Sequence, residues 1–271
     1  MEKVHQQNQL KADCENCYGL CCVALPFGKS ADFAMEKEGG APCHNLESNF
    51  RCSIHNELRN NGFKGCTVFE CFGAGQKVSQ ITFHGRDWRE DQKVAKEMFA
   101  VFPLMQQLHE MLLYLYEARS LGATKSIHKE LQKALDETEQ MTNLSPKSIL
   151  DLEIHIHRTR INELLLRVSD LVRAKFNNKK SKKDLIGAKL RGANLKGSNF
   201  RGAWLIAADL READMSMCDF IGSDLRDADL RGANLTGSIF LTQVQVNSAN
   251  GDIHTKLPDT LKLPPHWLNF K

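Results

Sequence analysis

"GANLKGSNFRGAWLIAADL", residues 192–210, decides how the C-terminal part of this chain folds, because a large apolar residue returns there at every fifth position. From Leu185 the series runs Leu190, Leu195, Phe200, Leu205, Leu210, Met215, Phe220, Leu225, Leu230, Leu235 and Phe240, twelve positions without interruption. Two residues before each stands Ala, Ser or Cys, with Lys183 as the exception. A helix repeats its apolar residues about every 3.6 positions and a half-buried strand every second one. Neither gives five, and a fixed short period belongs to stacked repeats.

The pentads "GANLKGSNF" (192–200), "AADLREADM" (207–215) and "DADLRGANL" (227–235) carry the A(D/N)LXX signature, and the segment resembles the pentapeptide-repeat family. The resemblance implies a right-handed quadrilateral β-helix with four pentads, or 20 residues, per coil. Each pentad forms one side, with the large residue and the small one before it pointing inward and the other three facing water. Phe200, Phe220 and Phe240 stand 20 apart and would stack on one face, preceded in register by Ser198, Cys218 and Ser238. Cys218 is therefore expected to be a small inward filler rather than a metal ligand. Twelve pentads make about three coils, a rod of roughly 15 Å at the usual strand spacing. Open coil ends invite edge pairing and need caps. The preceding helical segment is placed to cap the first coil. The tail "LTQVQVNSANGDIHTKLPDTLKLPPHW" (241–267), which looks like the closing segment of other bacterial pentapeptide-repeat proteins, is placed to cap the last.

Some members of that family resemble duplex DNA and inhibit DNA gyrase, and some are associated with antibiotic resistance. DNA presents one negative charge per roughly 1.7 Å of axis, so a mimic of this length should carry about nine. Residues 183–240 contain eight acidic and eight basic residues, a net charge of zero. The stretch 183–207 sums to +4 and 208–240 to −4, so a basic half adjoins the acidic one. The rod reads as a scaffold or protein-binding surface. A gyrase-protecting DNA mimic or an antibiotic-resistance role is the alternative by family analogy.

At the other end, "CENCYGLCC" (14–22) opens a set of eight cysteines spaced C-x2-C-x3-C-C-x20-C-x8-C-x13-C-x4-C. The stretch "MEKVHQQNQLKAD" (1–13) has no signal-peptide core and no run reaches transmembrane length, so a cytoplasmic protein with reduced thiols is expected. In that setting a cysteine cluster points to metal, with a disulfide framework as the alternative. The candidate ligands are Cys14, Cys17, Cys21, Cys22, Cys43, Cys52, Cys66 and Cys71. A C-x2-C pair lets two sulfurs converge on one ion, and a distant pair such as Cys66 and Cys71 could complete a tetrahedral set. In an extended segment the adjacent Cys21 and Cys22 would point to opposite sides, which hints at two centres, a cluster or one spare thiol. His44 and His55 are near enough in sequence to be ligands but read as polar surface residues. Thiolates suit zinc and iron–sulfur clusters alike, so the cofactor is zinc or an iron–sulfur cluster. Over about residues 10–75 the layout, with "CSIHNELRNNGFKGCTVFEC" (52–71) as its later half, resembles the CxxCxxCC (YkgJ-like) family of zinc- or iron-chelating domains. "CFGAGQ" (71–76) lacks the lysine and threonine of a phosphate loop and reads as a turn.

Between these ends the pattern is helical. Val94, Met98, Val101, Met105, Leu108, Leu112 and Leu115 form one apolar seam, and Leu150, Ile154, His157, Ile161, Leu164, Val168 and Leu171 another. A shorter helix around Ile127, Leu131 and Leu135 lies between them. Pro103 is expected to kink or restart the first helix, and Ser145–Pro146 to begin the last. His157 is expected to set register. The basic run "NNKKSKK" (177–183) reads as a solvated linker. With 42% apolar and 25% charged residues and a net charge of +3, the chain has the profile of a soluble globular protein, and neither nucleic acid nor membrane is called for.

The expected fold class is multi-domain α+β: a small Cys-rich metal-binding module (1–86), a helical hairpin or bundle (87–177), the β-helix (183–240) and a C-terminal cap (241–271). The expected function is non-enzymatic, a protein-interaction or metal- and redox-responsive scaffold. No catalytic residues stand out, and an iron–sulfur or metal-dependent enzyme is the alternative. The helical segment and the β-helix end are candidate homodimer surfaces, and the partner is otherwise an unidentified protein.

Overall fold

The computed structural model describes residues 10–176 and 183–268. The start of the N-terminal stretch and all of the basic run except Lys183 lie outside the described residues. The chain groups into two compact units, one of residues 1–121 and 125–165, the other of residues 122–124 and 166–271. Among the described residues no helix is long and apolar enough to cross a membrane.

The first unit contains α1 (Leu20–Val23), α2 (Lys64–Thr67), α3 (Ala74–Gln76), α4 (Gln92–Ser120), α5 (His128–Thr142) and α6 (Pro146–Leu150), and α7 (Ile154–Arg173) begins in it. Asp91 caps α4 by accepting from the N–H groups of Lys93 and Val94. The whole seam from Val94 to Leu115 is buried, as its spacing requires. Pro103 does not restart the helix, which runs through it as one 29-residue element. The proline removes one backbone hydrogen bond, but Val101, Phe102 and Met105 beside it are completely buried and hold both halves in place. Ser145 caps α6, with Pro146 in its first turn. That helix stops at Leu150, and α7 starts only at Ile154, so the last seam belongs to two helices and Leu150 is exposed. His157 fixes register: its Nε2 lies 2.8 Å from Thr138 Oγ1, whose hydroxyl donates to Ala134 O, so His157 Nε2 is the donor. One core serves the cysteine-rich and helical segments together, since Leu20, Val23, Ala74 and Val78 pack in one cluster with Trp88, Met98, Phe102 and Ile149.

In the second unit the backbone makes parallel bridges at intervals of 20 residues. Asp184, Lys189, Asn194 and Asn199 pair with Trp204, Asp209, Asp214 and Asp219, and these pair in turn with Asp224, Asp229, Asn234 and Ile239. Four bridges per coil give the β-helix its four sides. The contacts are single-residue bridges rather than extended strands, because each pentad turns immediately after its bridge. Two features make that turn. The residue two after each large core residue from Leu185 to Leu235 has positive φ, supplied by Gly187, Gly192, Gly197, Gly202, Gly222, Gly232 and Gly237, and by Ala207, Glu212, Met217 and Asp227 elsewhere. The Asp or Asn preceding the core residue accepts from the N–H two positions on, as Asp209 does from Arg211 and Asn234 from Thr236. Phe200 and Phe220 stack with ring centroids 5.4 Å apart, and Cys218 is buried with Sγ 3.1 Å from Leu195 O, the filler its register predicts. Arg201 and Asp219 break the rule that the remaining positions face water, forming a buried ion pair at 3.1 Å.

The tail extends the ladder. Asn250 bridges Asp229 and Lys256 bridges Asn234. Between them and the last coil comes α8 (Gln243–Ser248), started by a reciprocal capping box of Thr242 and Gln245. Trp267 closes this end, buried against Gly251 and donating from Nε1 to Ala249 O at 3.0 Å. At the other end Phe176 lies on Gly197, and Arg173 donates to Gly197 O at 3.4 Å.

Candidate metal centre

The cysteine segment is pinned by contacts far apart in sequence. Leu20 and Val23 of α1 are completely buried, which leaves Cys21 and Cys22 between them half-buried. Upstream, Tyr18 adopts positive φ and is held at three points: its hydroxyl donates to Gly85 O, its carbonyl accepts from Trp88 Nε1, and its ring stacks on Phe50. The Cys17 carbonyl accepts from Ser79 Oγ at 2.9 Å. All nine cysteines are free.

Cys21 and Cys22 do not lie in an extended strand. They occupy one helical turn, where successive side chains diverge by about 100°, and their sulfurs are 3.9 Å apart. Two sets of contacts lead away from this turn. Cys17 and Cys71 both approach the open face of Gly75, each sulfur 3.8 Å from the place a Cβ on that glycine would take. A side chain there would also stand 2.8 Å from Cys17 Cβ, so the approach needs glycine. Cys14 belongs with them, its carbonyl 3.5 Å from Cys17 Sγ. On the other side, Cys43 N donates to Cys22 O at 2.9 Å, and Leu46, bonded back to Cys43 O, bridges Cys52. Cys66 in α2 is near enough to feel the charges of Cys22, Cys43 and Cys52. His55 is exposed in a turn, and exposed His44 meets the edge of Phe63.

Proton affinities differ within each group. A hydrogen bond shared with Cys17 raises Cys14 and lowers Cys17, where the N–H groups of Gly19 and Leu20 also favour the anion. Cys21 and Cys22 repeat the arrangement, Cys21 raised and Cys22 lowered by their mutual bond. Burial raises Cys52 and Cys71 and pushes Cys66 up to about 12. Cys17 and Cys22 are therefore biased toward the thiolate, the form that binds metal.

Spacing gave no sign of Lys37, which sits between two glutamates like any surface lysine. Its side chain is buried at 7% exposure, and Nζ donates to Val23 O, Glu38 O and Ala41 O at 3.0–3.1 Å. Burial lowers its proton affinity, while the charges of Cys43, Cys22 and Cys21 act to raise it.

An all-thiol donor set with main-chain N–H support and a buried cation fits a soft metal by its chemistry. Among the described residues, however, no three Cys, His, Asp or Glu side chains converge closely enough to hold an ion as they stand. A pocket of about 190 Å³ in the same unit, lined by Glu153, His157 and Arg160 with apolar neighbours, contains none of the cysteines.

A family model matches the repeat by sequence. The family described as Pentapeptide repeats matches residues 184–216 and 205–240, with 8 copies. A pentapeptide repeat protein from the Arabidopsis thaliana thylakoid lumen is 27% identical, covering 32% of this chain and 74% of that one, with a TM-score of 0.13. Another from Nostoc Pcc 7120 is 27% identical over 30% of this chain and 79% of that one, also with a TM-score of 0.13. The "Uncharacterized protein YybG" of Bacillus subtilis (strain 168) is 64% identical over 264 residues, 95% of each chain. The likeness to YybG spans the cysteine segment as well as the repeat, and the chain belongs to the family of pentapeptide-repeat proteins that includes YybG.

Proposed function

We propose that this protein is a non-enzymatic cytoplasmic scaffold that binds zinc or an iron–sulfur cluster through its N-terminal cysteines and presents its pentapeptide coils to a protein partner. The observation that carries this reading is the eight free thiols between Cys14 and Cys71, with the Cys21 and Cys22 sulfurs 3.9 Å apart and Cys17 and Cys71 both against Gly75. Bound metal would stabilise the loop-rich cysteine segment, because ligand binding free energy becomes folding free energy. If the centre is iron–sulfur, its oxidation would release that segment, which gives the scaffold a redox response.

A protein partner is favoured over DNA mimicry by how the acidic half of the coil uses its charges. Asp209, Asp224 and Asp229 are each paired with the arginine two residues on, at 2.6–2.7 Å, and Asp219 is buried against Arg201. Glu212 pairs with Arg191, and Asp214 accepts from Ser216 and Asn234. Charges neutralised within the coil project little of the field that a phosphate array presents.

Anaerobic purification followed by a visible spectrum and zinc and iron quantification tests the metal reading. Colourless protein with stoichiometric zinc, or brown protein with iron and sulfide, supports it. Protein that stays metal-free after reconstitution with either metal sinks it.

A further inference from the structure

We infer that the leading edge of the first coil is a docking site for an extended, acidic segment of a partner protein, which adds to the ladder as one more rung. This rests on the protein-partner reading above and goes beyond it in naming where on the coil the partner binds and by what chemistry.

The two ends of the ladder differ. At the trailing end the tail supplies further rungs at Asn250 and Lys256, and Trp267 closes the stack. At the leading end Asp184, Lys189 and Asn194 bridge forward, to Trp204, Asp209 and Asp214. The residues twenty before them are Leu164, Ser169 and Ala174, the first two within α7, so no coil precedes these three sides. In the next coil the equivalent residues bond back through both main-chain groups, Trp204 to Lys183 O and Leu185 N, Asp209 to Ala188 O and Leu190 N. Among the described residues the N–H and C=O groups of Asp184, Lys189 and Asn194 have no such partner. A row of unpaired main-chain groups at a sheet edge is a template for another strand.

The core is open at the same place. Leu185, Leu190 and Leu195 are half-buried, whereas Leu205, Leu210 and Met215, one coil on, are 0% exposed. Phe176 covers the corner at Gly197.

Charge selects the occupant. Residues 183–201 carry five basic side chains and one acidic. Lys189 and Lys196 are exposed, and among the described residues neither has an ion pair. A second copy meeting this end head to head would bring two sets of lysines together, and like charge opposes that pairing. Phosphates of a nucleic acid would meet the lysines but leave the leucines wet. An acidic segment with interspersed apolar residues satisfies all three features. Its main chain takes the free edge groups, its apolar side chains cover Leu185, Leu190 and Leu195, and its carboxylates meet Lys189 and Lys196.

The test uses the full-length chain and a short synthetic peptide that alternates glutamate with leucine, read by fluorescence anisotropy. It should bind, more weakly as salt rises, and slow amide exchange at residues 184–195. The lysine–leucine counterpart should not bind. A copy N-methylated at alternate residues keeps the charge but loses main-chain donors, and should bind at least about tenfold more weakly. Lys189→Glu combined with Lys196→Glu should weaken the glutamate peptide by about tenfold. Should that variant fold poorly, the three peptides on the wild-type chain decide the question alone. Absence of glutamate-peptide binding, equal binding of either control, or displacement by a single-stranded oligonucleotide overturns the docking site. So does protection confined to other parts of the coil, or self-association of the chain that protects residues 184–195. The broader reading is checked separately, with a photo-crosslinking residue placed in turn at Lys189, Arg211 and Lys256 in cells. Protein adducts from Arg211 or Lys256 with none from Lys189 overturn the docking site and leave the coil a protein-binding surface. No adduct from any of the three overturns both.

Discussion

A core position of the coil has equivalents twenty residues up and down the chain, whereas Leu20, Val23 and Ala74 keep their places through contacts made once, with partners far away in sequence. The coil achieves order by repeating one solution: a large residue inward, a small one before it, an Asx-stabilised turn, a left-handed corner. The cysteine segment is made of unlike turns. Its backbone reverses at Tyr18, Gly40, Phe50, Gly62 and Phe72, each with positive φ and different neighbours. Redundancy lets each coil brace the next, whereas residues 14–71 hold together through single long-range contacts and, on the proposal above, through a bound metal.

Metal removal should separate the two regions most. Chelation of the loaded protein is expected to speed amide hydrogen exchange throughout residues 14–71 and leave 183–240 unchanged. Equal loss of protection in both would break the comparison. Next in size, Phe220→Ala removes one ring of the Phe200–Phe220 stack and should cost about 4 kcal/mol, read as a lower urea midpoint and faster exchange in the coil. A loss confined to one coil, rather than to all of them, would show that redundancy limits cooperativity.

Acid should also tell the units apart. Burial lowers His109 to about 4, with its ring nitrogen 2.7 Å from Phe72 O. The unfolded state therefore takes up the proton first as pH falls below 6.5, and stability is lost down to about pH 4, by about 3 kcal/mol. In the coil, the hydrogen bonds from Arg211 hold Asp209 down to about 2, so its contribution is present above 3.8 and disappears only as pH falls through 2. Unfolding followed by hydrogen exchange from pH 7 to 2 should show the first unit weakening before the second. His109→Gln should flatten the slope of the first unit between 6.5 and 4.

The smallest effects test the corner rule. Gly192 has positive φ with nothing near its missing Cβ, so Gly192→Ala should destabilise the coil by about 1 kcal/mol through backbone strain alone. Ala207 holds the equivalent corner, and Ala207→Gly should stabilise by about 0.5 kcal/mol. Opposite signs in thermal unfolding are the readout.

The coil was legible because its information is local and repeated: a reader needs only the period to place Leu205 inside and Cys218 beneath a ring. The helical seam from Val94 to Leu115 was legible for the same reason. What escaped was non-local or conformational. The break after Leu150 interrupts a pattern that looks continuous in sequence, and Pro103 sits harmlessly in a helix secured by burial on both sides. The grouping of the cysteines depends on Gly75 reaching Cys17 and on Cys43 reaching Cys22, across 58 and 21 positions, which spacing alone cannot reveal. Lys37 was invisible because burial, not composition, gives it a role.

The way the ladder ends has a consequence for assembly. Up to Ile239 each rung is read 20 residues after its predecessor, but the last two, Asp229–Asn250 and Asn234–Lys256, fall at 21 and 22. A coil is a template for the next one, and a drifting interval spoils the copy. The tail thus works as a chain terminator in the polymer sense: it accepts the final row of main-chain groups and returns a surface of a different pitch, crossed by α8 and sealed by Trp267. Without such an end, identical rods could continue one another into a filament. With it, the length of this rod is written once, into the protein that makes it.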